Sequence, residues 1–99
     1  MKIEESIENG TVTLKVEGNI TSYQGAEFLN AVIDASTRGD HVILDLTEVQ
    51  SMSSAGLRGL IMGYKNLSSR GGTLELRGVS QTVRETIKIT GLDKMLTSE

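Results

Sequence analysis

A single α/β domain is the fold class this sequence predicts, with a mixed four-stranded sheet and helices packed on one face. Two observations and one rule of chain topology predict it. Two strand-like runs at the start are joined by Asn9-Gly10, the strongest short hairpin signal, because both residues accept positive φ. Two further strand-like runs each follow an amphipathic helical stretch, which is the pattern of βαβ units. Right-handed crossovers then place the helices together on one side of the sheet.

Each element follows from its own residues. Lys2–Glu8 reads as a first strand and Thr11–Glu17 as a second. In the second, Val12, Leu14 and Val16 alternate with Thr11, Thr13, Lys15 and Glu17, so one face is buried and the other wet. Gly18 ends that strand. Thr21-Ser22-Tyr23-Gln24 has the spacing of a capping box. Phe28, Leu29, Val32 and Ile33 follow as an apolar stripe at helical spacing, closed by Arg38-Gly39-Asp40.

A third strand spans 41–46. Its Val42-Ile43-Leu44 run is apolar on both faces, which predicts a central place in the sheet. Residues 47–52 connect it to a second helix that begins near Ala55, with Leu57, Leu60, Ile61, Tyr64 and Leu67 as a buried stripe. Gly71-Gly72 ends this helix, and Thr73–Arg77 is the fourth strand, with Leu74 and Leu76 inward. Ser80 caps a third helix that carries Val83, Ile87 and Thr90. Gly91 and Leu92 suit its C-terminal cap, and 93–96 form a last short turn. The order is β-β-α-β-α-β-α, and the uncovered face of the sheet must carry polar side chains or a partner.

Composition narrows the function. At 99 residues and 37% hydrophobic, the chain supports one modest core and not two. The formal net charge is -3 and the basic residues are scattered, so nucleic acid is not an expected partner. Tyr23, Phe28 and Tyr64 are too few aromatics for a base-stacking platform. Cysteine is absent, which removes disulfides, thiolate zinc sites and cysteine nucleophiles, and fits a reducing compartment. No apolar run is long enough to span a bilayer, and the N-terminus lacks the apolar stretch of a signal peptide. The expectation is a cytoplasmic domain with no cofactor, no metal and no membrane contact.

The chemistry-bearing segment is 50–58, Gln-Ser-Met-Ser-Ser-Ala-Gly-Leu-Arg. It places Ser53 and Ser54 where a helix shows unpaired N–H groups and the positive end of its dipole, a place that favours a phosphate. One serine suffices as an N-cap. The other is free to be modified or read by a partner. A phosphate there adds roughly -1.5 to -2 charges to an exposed surface while the dipole tolerates it, so a docked partner is displaced at little cost to the free fold.

A nucleophilic serine is the weaker alternative. The segment is not Gly-x-Ser-x-Gly, and His41, the only histidine, lies at a strand start away from the serines. No nucleotide-binding glycine loop occurs either. Gly59 and Gly63 read as packing glycines, whereas Gly56 is expected to leave the amide at the helix start open to approach. Arg58, Met62 and Lys65 line the outward side of the helix.

These residues together resemble the STAS-domain anti-sigma-factor antagonists of bacteria. The likeness spans nearly the whole chain, as one STAS domain over 1–99. It rests on the element order and on Val16-Glu17-Gly18-Asn19-Ile20 before the first helix. It continues through Ile43-Leu44-Asp45-Leu46-Thr47-Glu48-Val49 and Met52-Ser53-Ser54-Ala55-Gly56-Leu57. Gly71-Gly72 and Thr90-Gly91-Leu92 complete it.

The resemblance implies a partner-switching protein that is not itself an enzyme. Such antagonists bind an anti-sigma factor that is also a serine kinase, are released when it phosphorylates them at the start of the second helix, and are restored by a serine/threonine phosphatase. The sequence departs from the family pattern at three points. Ala55 stands at the usual acceptor position, Ser53 matches the motif's aspartate, and Thr21 matches an acidic residue at the first helix.

The acceptor is therefore expected at Ser54, with Ser53 the second choice. The partner-binding surface is expected to comprise Thr21, Met52, Ser53, Ser54, Gly56, Leu57 and Arg58. The free protein is expected to be a monomer. The alternative is a constitutive STAS interaction module, in a signalling or transporter-associated complex, that works without phosphorylation.

Overall fold

A computed structural model describes residues 1–89 of the chain. The expectations for Thr90, Gly91, Leu92 and the turn at 93–96 lie outside the described residues. The elements are β1 (Lys2–Glu8), β2 (Thr11–Glu17), α1 (Gly25–Arg38), β3 (His41–Glu48), α2 (Ser54–Ser68), β4 (Thr73–Arg77) and α3 (Gln81–Ile89), in the expected order.

The strands form one mixed sheet in the order β1-β2-β3-β4. β1 pairs antiparallel to β2, and β2, β3 and β4 run parallel. Asn9 (φ 51°) and Gly10 (φ 80°) make the two-residue hairpin turn. This sets the register in which Ile3, Glu5 and Ile7 face Val16, Leu14 and Val12. β3 is central, as the apolar run predicts. It runs two residues past the expected end at Leu46, to Glu48, because Thr47 and Glu48 extend the strand before Val49 turns back to bond the Leu46 carbonyl at 2.9 Å.

The two faces of the sheet differ sharply. Val12, Leu14, Val16, Val42, Leu44, Leu46, Leu74 and Leu76 are buried on the covered face, in one core with Phe28, Val32, Ala35, Leu60, Leu67, Val83 and Ile87 of the helices. Each such large side chain gains about 1.5–3 kcal/mol from leaving water. Opposite them, the register sets Glu4, Lys15, Asp45 and Arg77 in one row across all four strands, with signs alternating. This polar row resolves what the uncovered face carries. Ile43 is the departure from the two-sided reading of β3: it sits half-buried on the open face beside Thr13 and Glu75, so the strand is covered on one side only.

The helix stripes are rotated from their sequence reading. In α1 the buried residues are Gly25, Phe28, Val32, Ala35 and Ser36, while Leu29 and Ile33 are half-buried. In α2 they are Gly56, Gly59, Leu60, Gly63 and Leu67, while Leu57, Ile61 and Tyr64 are half-buried. The reason is close approach of the two helices. A Cβ at Gly59 would lie 2.9 Å from Phe28 Cδ2, and one at Gly63 would lie 2.3 Å from Val32 Cγ1. At the start of the seam, a Cβ on Gly25 would lie 2.3 Å from the Ala55 Cβ. The pairs 25/55, 28/59 and 32/63 advance together, so α1 and α2 lie parallel with both N-termini at one end. The glycine side of α2 is its most buried side, although glycine contributes nothing to a hydrophobic stripe.

Candidate functional site

Because β2, β3 and β4 are parallel, the helices that follow them all start at the same end of the sheet. In open α/β sheets that end is where ligands and partners are met. It holds the three connections 18–24, 49–53 and 78–80, and the first two are bound together. Ile20 and Met52 form a parallel bridge. The Ile20 N–H donates to the Ser51 carbonyl at 3.2 Å, and the Ser53 N–H donates to the Ile20 carbonyl at 2.7 Å. Thr21 is thereby held beside Ser53, as both belong to the expected surface.

The serines divide the work. Ser53 is the N-cap of α2, with extended backbone (φ -74°, ψ 169°), and its Oγ accepts from the Gly56 N–H at 3.2 Å. Ser54 is the first helical residue and is exposed. No acidic residue occupies the first turn of α2, so the positive end of its dipole is not neutralised by its own side chains. Arg58 is exposed one turn on, and Met62 is 45% exposed beyond it.

Gly56 departs from its expected role. It is buried, its amide is taken by Ser53, and a Cβ there would lie 2.6 Å from Ile20 Cγ2 and 2.7 Å from Met52 Cγ. Its missing side chain lets the bridge between Ile20 and Met52 pass under the helix; it does not open the amide to a partner. Leu57 and Met52 are half-buried and pack against the core. The outward surface is thus carried by Thr21, Ser54 and Arg58, with Ser53 and Met52 beneath.

The expected capping box at Thr21 also forms differently. The Gln24 N–H donates to the Thr21 carbonyl at 3.1 Å, closing a separate turn before α1. Gln24 then occupies the N-cap position without a side-chain cap bond. Only the return arm of the box is present: the Thr21 N–H, at 3.3 Å, and the Thr21 hydroxyl both donate to Gln24 Oε1. The extra turn lifts Tyr23 clear of the surface, where it is 96% exposed. In the sequence Tyr23 lies inside the expected box, an aromatic among polar turn residues.

Two further side chains hold the loop. Asn19 Oδ1 accepts from the Gln50 N–H at 3.1 Å and the Ser51 N–H at 3.2 Å. Ser80 caps α3 as expected, accepting from the Val83 N–H at 3.2 Å, and its hydroxyl also lies 3.2 Å from the Gln50 carbonyl, to which it donates. Nearby on the open face, the Thr47 hydroxyl donates to Asp45 at 2.6 Å and its N–H at 3.1 Å. These bonds, side chain first, hold the Asp45 carboxyl below the usual carboxylate range, with Lys15 and Arg77 adding to the effect.

His41 is exposed at the far end of its strand, with Nδ1 2.7 Å from the Thr73 hydroxyl. Among the described residues no group of three or more His, Cys, Asp or Glu could hold a metal ion. None of their helices is long and apolar enough to cross a membrane. A shallow cavity on the hairpin side, lined by residues that include Ser6, Thr13, Ile43 and Arg77, contains none of the serine-site residues.

Fold and site together define a class: a mixed-sheet α/β domain that presents a serine-bearing helix start at the carboxyl end of its parallel strands. The chain belongs to the STAS-domain family; the family "Mlab, STAS domain" matches residues 3–97. It is similar to an anti-sigma F factor antagonist of Paenibacillus polymyxa, 26% identical over 99 residues, covering 97% of this chain and 84% of that protein. Its fold matches the anti-sigma factor antagonist SpoIIAA in its unphosphorylated form, with a TM-score of 0.82 at 18% identity over 95% of this chain and 84% of that one. It also matches a sulfate transporter family protein from Wolinella succinogenes, with a TM-score of 0.75 at 18% identity over 95% of this chain and 77% of that one.

Proposed function

We propose that this STAS domain is an anti-sigma-factor antagonist that works by partner switching. Its unmodified form binds an anti-sigma factor with serine-kinase activity. Phosphorylation of Ser54 releases it, and a serine/threonine phosphatase returns it to the binding form. The supporting observation is the division between the serines: Ser53 is committed to the cap, while Ser54 stands exposed at the first residue of α2.

A dianion at Ser54 lies at the positive end of a 15-residue helix, where it is tolerated. A partner lying across Thr21, Ser54 and Arg58 meets new charge and bulk at the centre of its contact. Tyr23 joins this surface as an exposed tyrosine, one of the residue types enriched at interface hot spots. The likeness to the Paenibacillus antagonist supports the assignment of the partner class.

A second reading is favoured by Ala55. The residue at the usual acceptor position has no hydroxyl and is half-buried against Gly25. On that reading the same surface binds a partner constitutively. Fragmentation mass spectrometry of the protein from its own cells, with and without phosphatase treatment, decides between them. Phosphate on Ser54 is the expected result, and phosphate on Ser53 moves the acceptor to the cap. No phosphate under any growth condition makes the constitutive module the function.

A further inference from the structure

We propose that Asn19 is the positioning residue of the serine loop, holding it so that Ser54 is presented in one orientation. The inference rests on the reading of Ser54 as the partner-read residue. It starts from the hydrogen-bonding needs of the loop backbone. A connection between strand and helix has no ladder partners, so its N–H and C=O groups must be met by side chains, other loops or water. Around Gln50 and Ser51 they are met by three residues from two other connections. Asn19 takes both N–H groups on one oxygen, Ser80 donates to the Gln50 carbonyl, and the Ile20 N–H donates to the Ser51 carbonyl.

Asn19 fixes two successive peptides with one side chain. Its carboxamide oxygen has two lone pairs, and both are used. The loop then enters α2 through Met52 and Ser53, and the direction of the Ser53 cap, hence of Ser54, follows from where peptides 50 and 51 are held. Ser80 acts on the opposite side of the same Gln50 peptide, so the start of α3 shares in holding it.

Exposure sharpens the assignment. Asn19, Gln50 and Ser51 are all exposed, so water can satisfy the two N–H groups once Asn19 is removed. Loss of Asn19 therefore leaves the core and the fold in place and frees the loop. A residue with a merely structural role would weaken the whole sheet.

The test compares wild type, Asn19→Ala and Asn19→Asp as full-length chains. The aspartate keeps an oxygen acceptor at the same distance and serves as the conservative rescue. Residue-resolved amide hydrogen exchange on the free protein is the first readout. In Asn19→Ala, exchange at Gln50 and Ser51 is expected to speed up about tenfold or more, with the Leu14 and Leu44 amides unchanged; Asn19→Asp restores slow exchange at neutral pH. Unchanged exchange at Gln50 and Ser51, or equal acceleration throughout the sheet, overturns the proposal.

Phosphate occupancy at Ser54 in cells is the second readout. It is expected to fall about threefold or more in Asn19→Ala and to recover in Asn19→Asp. Occupancy that stays at the wild-type level while the loop exchanges faster also overturns the proposal. A wild-type protein with no phosphate defeats the switch reading instead, and the exchange rates alone then decide the role of Asn19.

Discussion

The two sides of α2 stand in opposition. The inward side is built from Gly56, which lies over Ile20 and Met52, and from Gly59 and Gly63, which meet α1; each would drive an added Cβ to within 3 Å of a neighbour. The side toward solvent carries Ser54, Arg58, Met62 and Lys65, all exposed. One side tolerates no added atom and the other tolerates almost any. The difference teaches that this helix is placed by what its seam lacks, and that its exposed start can change chemistry without disturbing that placement.

The comparison breaks most severely at Gly63. A leucine there must displace Val32, a stiff β-branched side chain with no exposed surface. Gly63→Leu is expected to destabilise the protein by about 3 kcal/mol, measured by urea unfolding; a variant as stable as wild type would mean that α1 and α2 can separate freely. Gly63→Ala is milder, because the gain in helix propensity, up to about 1 kcal/mol, offsets part of the clash.

At the helix start the effects shrink to single hydrogen bonds. Ser53→Ala removes the cap to the Gly56 N–H and is expected to cost about 1 kcal/mol, seen as a lower unfolding midpoint with an unchanged slope. Ser54→Asp is expected to change stability by no more than about 0.5 kcal/mol, while abolishing binding to the kinase-type partner in a titration by calorimetry. Unfolding by Ser54→Asp would assign Ser54 a structural role, and unchanged affinity would favour the constitutive module.

The smallest effect lies on the open face. The bonds from Thr47 lower the Asp45 pKa, so the folded state holds this proton less tightly than the unfolded chain. Their contribution is complete above the ordinary carboxylate pKa and is lost as pH falls through the lowered value. Carboxyl-detected titration by magnetic resonance should place the Asp45 midpoint below that of an unpaired aspartate. Thr47→Val should move it upward; an unmoved midpoint would assign the shift to Lys15 and Arg77 instead.

Much of this fold is legible in the residues, and the exceptions share a cause. Asn9-Gly10 announces its turn because only residues at ease with positive φ fit there, and β2 announces its faces by strict alternation. The helix stripes mislead because hydrophobic periodicity counts side chains, and the seam of α2 is made where side chains are missing. Leu57, Ile61 and Tyr64 therefore look more buried than they are, and Gly56 looks more available. In the site, the serine pair is legible from capping chemistry. The holding role of Asn19 is not, because its partners are backbone groups 31 and 32 residues away, and backbone groups carry no sequence signature.

The hairpin that opens the chain has a consequence for how copies of the protein meet. Among the described residues β1 is an edge strand whose outer backbone donors and acceptors face no other strand, and it carries Glu4, Glu5 and Glu8 against the single cation Lys2. Two such edges brought together crowd like charges along the new seam, which works against strand-to-strand association. The protection is electrical and so conditional: salt screens it, with a reach of about 10 Å at 0.1 M ionic strength and about 3 Å at 1 M. Self-association at high salt is therefore expected to begin at the strand farthest in the sheet from β4.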